Sequence, residues 1–266
     1  MSTTIVSAGS FLGNCRVAYN NLAFGLSPTV TSEASGYEAT RAMDWMSYNK
    51  WKAANSAQQN FDLDLSSAQT VDCFGLYKHN LGSVGGSLDV QYSTGSAGGP
   101  YSSLFAITPG PVNSGGNRTL FRINSNGVLA QWWRFSFSGH SAAPSAGVIF
   151  LGASVQLPAP NHPFQLPIIS PQNEVLNNDS EGGELLGRSL LRQGRASNLR
   201  YRLAEQWIRP LWQPFAEAAE LTPFFFAWDA TRWPDEAYFC FTDKKPKQGK
   251  SDKPNHVEVE LAFLAK

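Results

Sequence analysis

Charged residues are scarce in this chain of 266 residues. They make up 16% of it, whereas soluble domains usually carry roughly 25%. The 21 Lys and Arg residues balance the 21 Asp and Glu residues, so the formal net charge is +0. A chain without net positive charge lacks the overall basic character of a dedicated nucleic-acid-binding protein, and we expect no specific nucleic-acid partner.

Cysteine is also rare, with Cys15, Cys73 and Cys240 far apart in the chain. No CxxC pair occurs, which argues against a structural zinc site. Cys73 and Cys240 lie in apolar runs and are predicted to be small core residues. The four histidines have no metal-ligand spacing, and we predict neither a metal nor a cofactor.

Motifs of catalysis are missing as well. The sequence contains no H-E-x-x-H, no G-x-S-x-G and no Gly-rich phosphate loop. Asp229, Asp235 and Glu236 offer the carboxylates of an acid/base pair, but Asp and Pro in "WDATRWPDE" are more typical of a turn between strands. We therefore predict that the protein is not an enzyme.

Long hydrophobic runs are absent. The first residues, "MSTTIVSAGSFLGN", do not combine a basic segment with an apolar one, so we expect no signal peptide. No apolar run approaches the ~20 residues of a membrane helix, and we expect no membrane span. These features favour synthesis in a cytoplasm.

A proline-rich segment divides the chain by composition. Residues 157–171, "LPAPNHPFQLPIISP", contain five prolines, which indicates a stiff extended linker. Of the Lys and Arg residues, 8 precede this point and 13 follow it; of the Asp and Glu residues, 7 precede and 14 follow. We predict a first domain at 1–157, with its core at about 21–157, a linker at 158–171 and a second domain at 172–266.

The first domain has the pattern of an all-β fold. Short runs rich in β-formers are separated by Gly-, Ser- and Asn-rich loops, as in a sandwich or jelly roll. The predicted strands are 61–65, 70–77, 87–92, 119–123, 132–138 and 148–155. In "FDLDLSSAQTVDCFGLYKHNLG" a Ser-Ser turn is predicted between the first two.

The order of these segments resembles a discoidin-type domain, the jelly roll of coagulation-factor C-type and galactose-binding modules. The resemblance rests on Ala42, Asp44 and Trp51, on the strand at 61–65, and on Trp133-Arg134-Phe135. The family usually has Gly where this chain has Trp45, which leaves a calcium site at that loop in doubt. The resemblance implies a ligand site in the loops at one end of the fold.

Four residues are candidates for that site. Trp45 and Tyr48 supply aromatic faces, and His79 and Asn80 supply polar groups where a strand ends. Such a set suits a sugar, whose C–H face stacks on a ring while its hydroxyls need fixed partners. Alternatively, His79 and Asn80 close a turn and the tryptophans pack the end of the fold.

The second domain is predicted to be antiparallel β-structure with one helix. Strands at 174–177 and 185–191 flank the hairpin turn "NDSEGG", and further strands are predicted at 198–203, 224–228, 238–242 and 257–264. Trp207, Leu211 and Phe215 recur at helical spacing, and Pro210 and Pro214 predict a kink or two short helices. The fold class is therefore mostly β: a discoidin-like sandwich plus an antiparallel β domain with one kinked helix.

The second half also resembles a minor tail protein of tailed bacteriophages. The resemblance rests on "SEGGELLGRSLLRQG", the Trp-containing helix, "PFFFAWD", "PDEAYFCFTD" and the alternating last strand. It implies a structural virion protein of the tail tip or baseplate, made in the host cytoplasm. Its partners would be itself as a ring (trimer or hexamer), the tail tube, other tail-tip proteins and a host surface glycan. The alternative is a stand-alone carbohydrate-binding protein.

The aromatic content, 12% with 8 Trp and 17 Phe, fits either two aromatic cores or surfaces buried by other copies. The lysines of "KKPKQGKSDK" form either a solvated hairpin tip or a contact with an acidic neighbour. The candidate interface residues are Trp207, Trp212, Phe225, Trp233, Lys244 and Lys245.

Overall fold

The predicted fold class is confirmed: the chain is mostly β-structure in predominantly antiparallel sheets with one long helical segment. The structure is a computed structural model, and it describes residues 3–7, 15–108, 119–157, 170–229, 237–242, 244–250 and 253–265. The chain forms two compact units. Unit 1 comprises Met1–Leu157 with Phe224–Tyr238, and unit 2 comprises Pro158–Pro223 with Phe239–Lys266.

The unit boundaries differ from the predicted domains. Unit 2 begins at Pro158, the first residue of the predicted linker. Phe224–Tyr238 belongs with unit 1, although the sequence places it in the second half. Most of the proline-rich linker, residues 158–169, lies outside the described part of the chain. That the two halves fold independently stays a prediction.

Unit 1 contains twelve complete strands among its described residues. In chain order they are β1 (Thr3–Ser7), β2 (Arg16–Ala18), β3 (Thr29–Val30), β4 (Trp51–Lys52), β5 (Gln59–Tyr77), β6 (Ser87–Ser93), β7 (Ser102–Ile107), β8 (Thr119–Ser138), β9 (Ser145–Ala146), β10 (Val148–Gly152), β11 (Val155–Gln156) and, after unit 2 begins, β14 (Phe224–Ala227). A 3₁₀ turn at Ala39–Met43 and the short helix α1 (Leu81–Val84) lie in its loops.

A seven-stranded sheet forms the body of unit 1. Its strand order is β10-β5-β8-β6-β7, with β1 beside β8 and β3 beside β5. The alternation in β5 follows the sequence: Phe61 and Leu63 are buried, whereas Asp62 and Asp64 point to the other face. Phe61 meets Phe135 and Trp51 in an aromatic core, and burying each such side chain contributes about 1.5–3 kcal/mol.

The predicted turn at Ser66-Ser67 is instead a bulge inside one long strand. The pairing of β5 with β8 shifts register between Asp64 and Gln69, and Ser66 has a φ of 62°. Its N–H donates to Asp64 Oδ1 at 2.7 Å. Because β8 runs beside β5 on both sides of this point, the extra residues are absorbed as a bulge and the chain does not reverse. The predicted strands at 119–123 and 132–138 likewise belong to one strand, β8.

A second aromatic contact in unit 1 involves β14. This strand pairs with β2, and Phe225 is fully buried. Its ring stacks on Phe121 at 5.5 Å between centroids and meets Phe150 at the same separation. A Cβ added at Gly75 would lie 2.8 Å from the Phe225 ring, so only glycine allows this approach.

Unit 2 contains a sheet with the order β15-β17-β13-β12, and β16 pairs with β17. Its strands are β12 (Ser170–Asp179), β13 (Leu185–Ala204), β16 (Lys247–Lys250) and β17 (His256–Ala265), together with Phe239–Thr242 of β15 (Ala237–Thr242). Val259, Leu261 and Phe263 of β17 are buried and alternate with more exposed residues, as predicted.

The helical segment of unit 2 is irregular in the manner that its prolines predict. It runs through α2 (Glu205–Trp207), a π-helical stretch (Ile208–Trp212) and α3 (Gln213–Leu221). Pro210 lies within the π-helical stretch and Pro214 near the start of α3, where the missing N–H is tolerated. Within the described residues, no helix combines the length and the apolar character that a membrane crossing requires.

Most of the β12–β13 hairpin stands apart from any core. We call residues 170–191 the arm: β12, the turn at 180–184 and the first seven residues of β13. Every described side chain of the arm except Ser170 and Ser180 is exposed. Further along the same strand, Leu199, Tyr201 and Leu203 are buried. The change within β13 marks where the hairpin leaves the body of unit 2.

Candidate functional site

Three loop segments of unit 1 meet at one end of the sandwich. We call residues 44–50, 78–80 and 139–147 the loop cluster. Lys78 Nζ donates to Ser47 O at 2.9 Å, and Gly147 N donates to Tyr77 O at 3.0 Å. The structure thus brings together the segments that carry the four predicted site residues.

Asn80 holds two of these segments together. Its Nδ2 donates to Ala143 O at 2.9 Å, and its Oδ1 accepts the Ser145 N–H at 2.8 Å. One side chain therefore satisfies two backbone groups more than sixty residues away. Both side-chain polar atoms of Asn80 already have hydrogen-bond partners in the protein. This fits the alternative in which Asn80 closes a turn and does not bind a ligand.

His79 is a buried imidazole next to Asn80. Its Nδ1 accepts the Leu81 N–H at 3.2 Å, so the proton resides on Nε2, which is buried and has no hydrogen-bond partner. Burial lowers the pKa of His79 to about 4, because removal from water disfavours the charged form. His79 therefore helps to start α1 and stays neutral near pH 7.

The loop at 44–50 presents its aromatic residues differently. Asp44 Oδ1 accepts the Met46 N–H at 2.7 Å, which fixes the start of the loop as an Asx turn. Trp45 is half-buried, with its ring 6.0 Å from that of Phe150. Tyr48 is 76% exposed, and its hydroxyl donates to Met46 Sδ at 3.1 Å.

Other exposed rings accompany this loop, and the sequence reasoning did not identify them. Phe24 is 54% exposed, and the next residue, Gly25, donates its N–H to Met43 O at 3.2 Å. Tyr37 is 37% exposed, with Lys50 Nζ 5.5 Å from its centroid. Glycines that follow Phe24 and precede Tyr37 have positive φ values, so a Gly beside an aromatic residue is the signal that marks these turns.

The chemistry available at the loop cluster is binding by stacking and hydrogen bonds. Tyr48 offers an open ring face, and Lys78 retains two ammonium protons after its bond to Ser47. In the described part of the chain, no three His, Cys, Asp or Glu side chains are grouped to hold a metal ion. Asp229 is buried, and its predicted acid/base partners Asp235 and Glu236 lie outside the described residues.

The residues that carry the discoidin resemblance are structural. Trp51 is fully buried and donates from Nε1 to Ser32 O at 3.3 Å. Arg134 donates to both carboxylate oxygens of Asp62, at 2.7 and 2.8 Å. This bond is the main cause of the raised pKa of Arg134. The guanidinium also lies 4.0 Å from the ring centroid of Tyr101.

Five of the six predicted interface residues fall into three groups. Trp212 and Phe225 are fully buried, each packed against rings of its own unit. Trp207 is 37% exposed and Lys244 is exposed. Trp233 lies outside the described residues. The buried pair therefore has no side-chain surface left for contact with another chain.

Lys245 is the predicted interface lysine with a partner of its own. Its Nζ lies 2.9 Å from Glu220 Oε2, and the hydrogen bond raises the pKa of the ammonium. Both groups are exposed, so the pair contributes little to stability. This contact fits the solvated-tip interpretation of the lysine-rich segment.

Comparison with known proteins adds a partial structural likeness. No protein-family model and no curated protein matches the chain. Chitosan-binding module 1 of a chitosanase/glucanase from Paenibacillus sp. IK-5 is similar over 50% of this chain and 99% of its own length, with 22% identity and a TM-score of 0.43. The lectin domain of lectinolysin, solved with Lewis B antigen, is similar over 52% of this chain and 99% of its own, with 16% identity and a TM-score of 0.41. At these values we infer no ligand from the likeness.

Proposed function

We propose that the protein binds carbohydrate through the loop cluster of unit 1, without catalysis. The observation that carries this proposal is the Tyr48 ring, 76% exposed on a loop whose backbone is fixed by Asp44 and Lys78. A fixed, open ring is what stacking on a sugar requires, because little conformational freedom is lost on binding.

Five residues of the loop cluster have distinct roles in the proposed binding of sugar. Tyr48 stacks on the C–H face of the sugar, and Lys78 donates to a hydroxyl. Trp45, which packs near Phe150, supports the loop and offers its remaining open edge. His79 and Asn80 hold the segments in place from behind and do not touch the sugar.

The test is a titration of the full chain with a panel of neutral, amino and fucosylated oligosaccharides. Tyr48→Ala should weaken binding about tenfold, the size of a lost stacking contact, while the melting temperature stays nearly unchanged. Trp207→Ala, which removes a partly exposed ring of unit 2, is the control and should leave affinity unchanged. An unchanged affinity of the Tyr48 variant would place the sugar elsewhere on the protein. If the chain bound none of the oligosaccharides in the panel, binding to these classes of carbohydrate would be rejected.

Trp45→Ala sharpens the same test. It removes a half-buried ring, so it should weaken sugar binding and also lower the melting temperature modestly. A large loss of stability with unchanged affinity would identify Trp45 as a packing residue only.

A second candidate function is structural: a component of a phage tail tip or baseplate. It is supported by the order of segments across both halves of the sequence, and the exposed arm of unit 2 favours a role in assembly. In this case unit 2 joins a ring and the tail tube, and unit 1 contacts a host surface glycan. Several weak sites in one ring would raise avidity by roughly 10²–10⁴.

This candidate is tested on particles. Antibodies raised against residues 163–266 should label the tail tip of purified virions of the phage that encodes the chain. Virions without label would remove the tail role but leave carbohydrate binding by unit 1 untouched.

A further inference from the structure

Lys78 brings a positive charge to the loop that carries Tyr48. Its Nζ donates to Ser47 O at 2.9 Å. A Cβ added at Gly147 would lie 3.1 Å from Lys78 Cβ and 3.5 Å from Asn49 O, so the three segments of the loop cluster pack closely at this point. The Lys78 side chain is exposed, and its ammonium has two further protons available to a ligand.

Two more lysines approach the exposed ring of Tyr37. Lys50 Nζ lies 5.5 Å from the centroid of this ring and Lys52 Nζ lies 5.9 Å from it, both within the range of a cation–π contact. The backbone is joined here as well, because the Lys52 N–H donates to Tyr37 O at 3.3 Å. Since both ammonium groups approach one ring, two positive charges are concentrated at the edge of the loop cluster.

The carboxylates near these lysines in the sequence already have other partners. Glu38 pairs with Arg41, and the side chains of Glu33 and Asp44 each accept a backbone N–H. Among the described residues, none of the three lysines takes part in an ion pair. The whole chain has a formal net charge of +0, so this excess of positive charge is local to the loop cluster and its edge.

We propose that the saccharide bound at the loop cluster is acidic and carries a carboxylate or sulfate group that Lys50 and Lys52 bind. This inference rests on the proposed binding of carbohydrate and adds the class of its ligand. With a sugar ring stacked on Tyr48, the anionic group lies towards the ammonium groups beside Tyr37, and the charge of Lys78 adds to the attraction. A lysine ammonium is a flexible point charge, so it can follow either kind of anionic group. A neutral sugar gains nothing from these charges.

Matched sugars test the ligand class on the unmodified full chain. Calorimetric titrations compare tetragalacturonate with its methyl ester, and compare sialyllactose and sulfated lactose with lactose, so that carboxylate and sulfate are tested separately. In dilute buffer we expect an acidic sugar to bind at least about tenfold more tightly than its neutral counterpart. The preference should shrink to less than about threefold in about 1 M salt, where the Debye length is about 3 Å.

The outcomes separate this inference from the proposed function. If neutral sugars bind as tightly as acidic ones, the inference is overturned while carbohydrate binding stands. If no sugar binds, whether acidic or neutral, the proposed function fails and the inference fails with it. A preference for the acidic sugars that is unchanged by salt would also overturn the inference, because exposed charges are screened.

Variants test which lysines bind the anionic group. Lys50→Gln combined with Lys52→Gln should weaken binding of the acidic sugar at least about fivefold and leave binding of the neutral sugar unchanged. Lys50→Arg combined with Lys52→Arg keeps both charges and should keep the preference. Lys244→Gln combined with Lys247→Gln removes two exposed charges from unit 2 and is the matched control. Equal losses in the two glutamine pairs, or no loss in the first pair, would overturn the assignment to Lys50 and Lys52.

Discussion

Two long strand pairs, β5–β8 in unit 1 and β12–β13 in unit 2, have similar backbones and opposite surroundings. Both are antiparallel and both contain register shifts. Inward side chains of β5 such as Phe61 and Phe74 are fully buried, whereas nine of the ten residues of β12 are exposed. Strands can therefore pair without a hydrophobic core beside them. In unit 1 buried side chains pack against the β5–β8 ladder, whereas in the arm the backbone hydrogen bonds form without such packing.

The strongest test of this contrast compares adjacent tryptophans on β8. Trp133 is fully buried, and Trp132 on the opposite face is only half-buried. Trp133→Ala should lower the free energy of unfolding by about 3–5 kcal/mol, and Trp132→Ala by less than about 1 kcal/mol. Urea unfolding followed by circular dichroism measures both. Equal losses would contradict the assignment of the two faces.

Acid should destabilise unit 1 through His79. Its pKa is about 4 when folded and 6.5 in the reference state, so only the unfolded chain takes up a proton between these values. Stability is therefore constant above pH 6.5, falls on acidification to pH 4 and levels off below it. The loss is about 3 kcal/mol at most.

Two other buried groups modify that profile. Burial also lowers the pKa of His140, which adds to the loss, whereas burial raises the pKa of Asp72, which opposes it at lower pH. His79→Gln should remove most of the slope between pH 6.5 and 4. A variant with the slope of the parent would show that other groups cause it.

Asn80→Ala should have a smaller effect, about 1–3 kcal/mol, because it leaves the Ala143 carbonyl and the Ser145 N–H without their partner. Asn80→Asp keeps the acceptor for Ser145 and should lose less. Amide exchange at Ser145 is the direct measurement. Unchanged exchange in the alanine variant would mean that the loop cluster does not depend on this side chain.

The smallest effect is expected in the arm. Leu186 is 67% exposed, so Leu186→Ser in a dilute sample should change the free energy of unfolding by less than about 0.5 kcal/mol. Thermal unfolding at several protein concentrations measures it. A large loss in dilute sample would show that the arm packs against its own chain.

Most strands were predictable, because alternation and turn residues are local. The alternation at 61–65 and at 257–264 agrees with the buried faces of β5 and β17. The bulge at Ser66 was not predictable, since it depends on how β8 continues beside β5. Nor was the place of β14, because its pairing with β2 joins residues some two hundred positions apart.

The candidate site was predictable only as a location. The end of β5 and the aromatic residues at 45 and 48 indicate where loops meet. The two bonds that engage Asn80 depend on Ala143 and Ser145, which come more than sixty positions later. The hairpin of the arm was predicted, with strands at 174–177 and 185–191, but its exposure was not. The adjacent leucine pairs of "ELLGRSLLRQG" suggest burial that the fold does not provide.

The buried cysteines allow the opening of each unit to be timed separately. Cys73 lies in unit 1 and Cys240 in unit 2, and burial raises the pKa of both thiols well above its usual value. A thiol in this state reacts with an alkylating reagent only after the surrounding structure opens. Pulsed alkylation followed by mass spectrometry of peptides therefore measures a separate opening rate for each unit. Equal rates would mean that the units open together, and different rates would mean that one opens while the other remains closed.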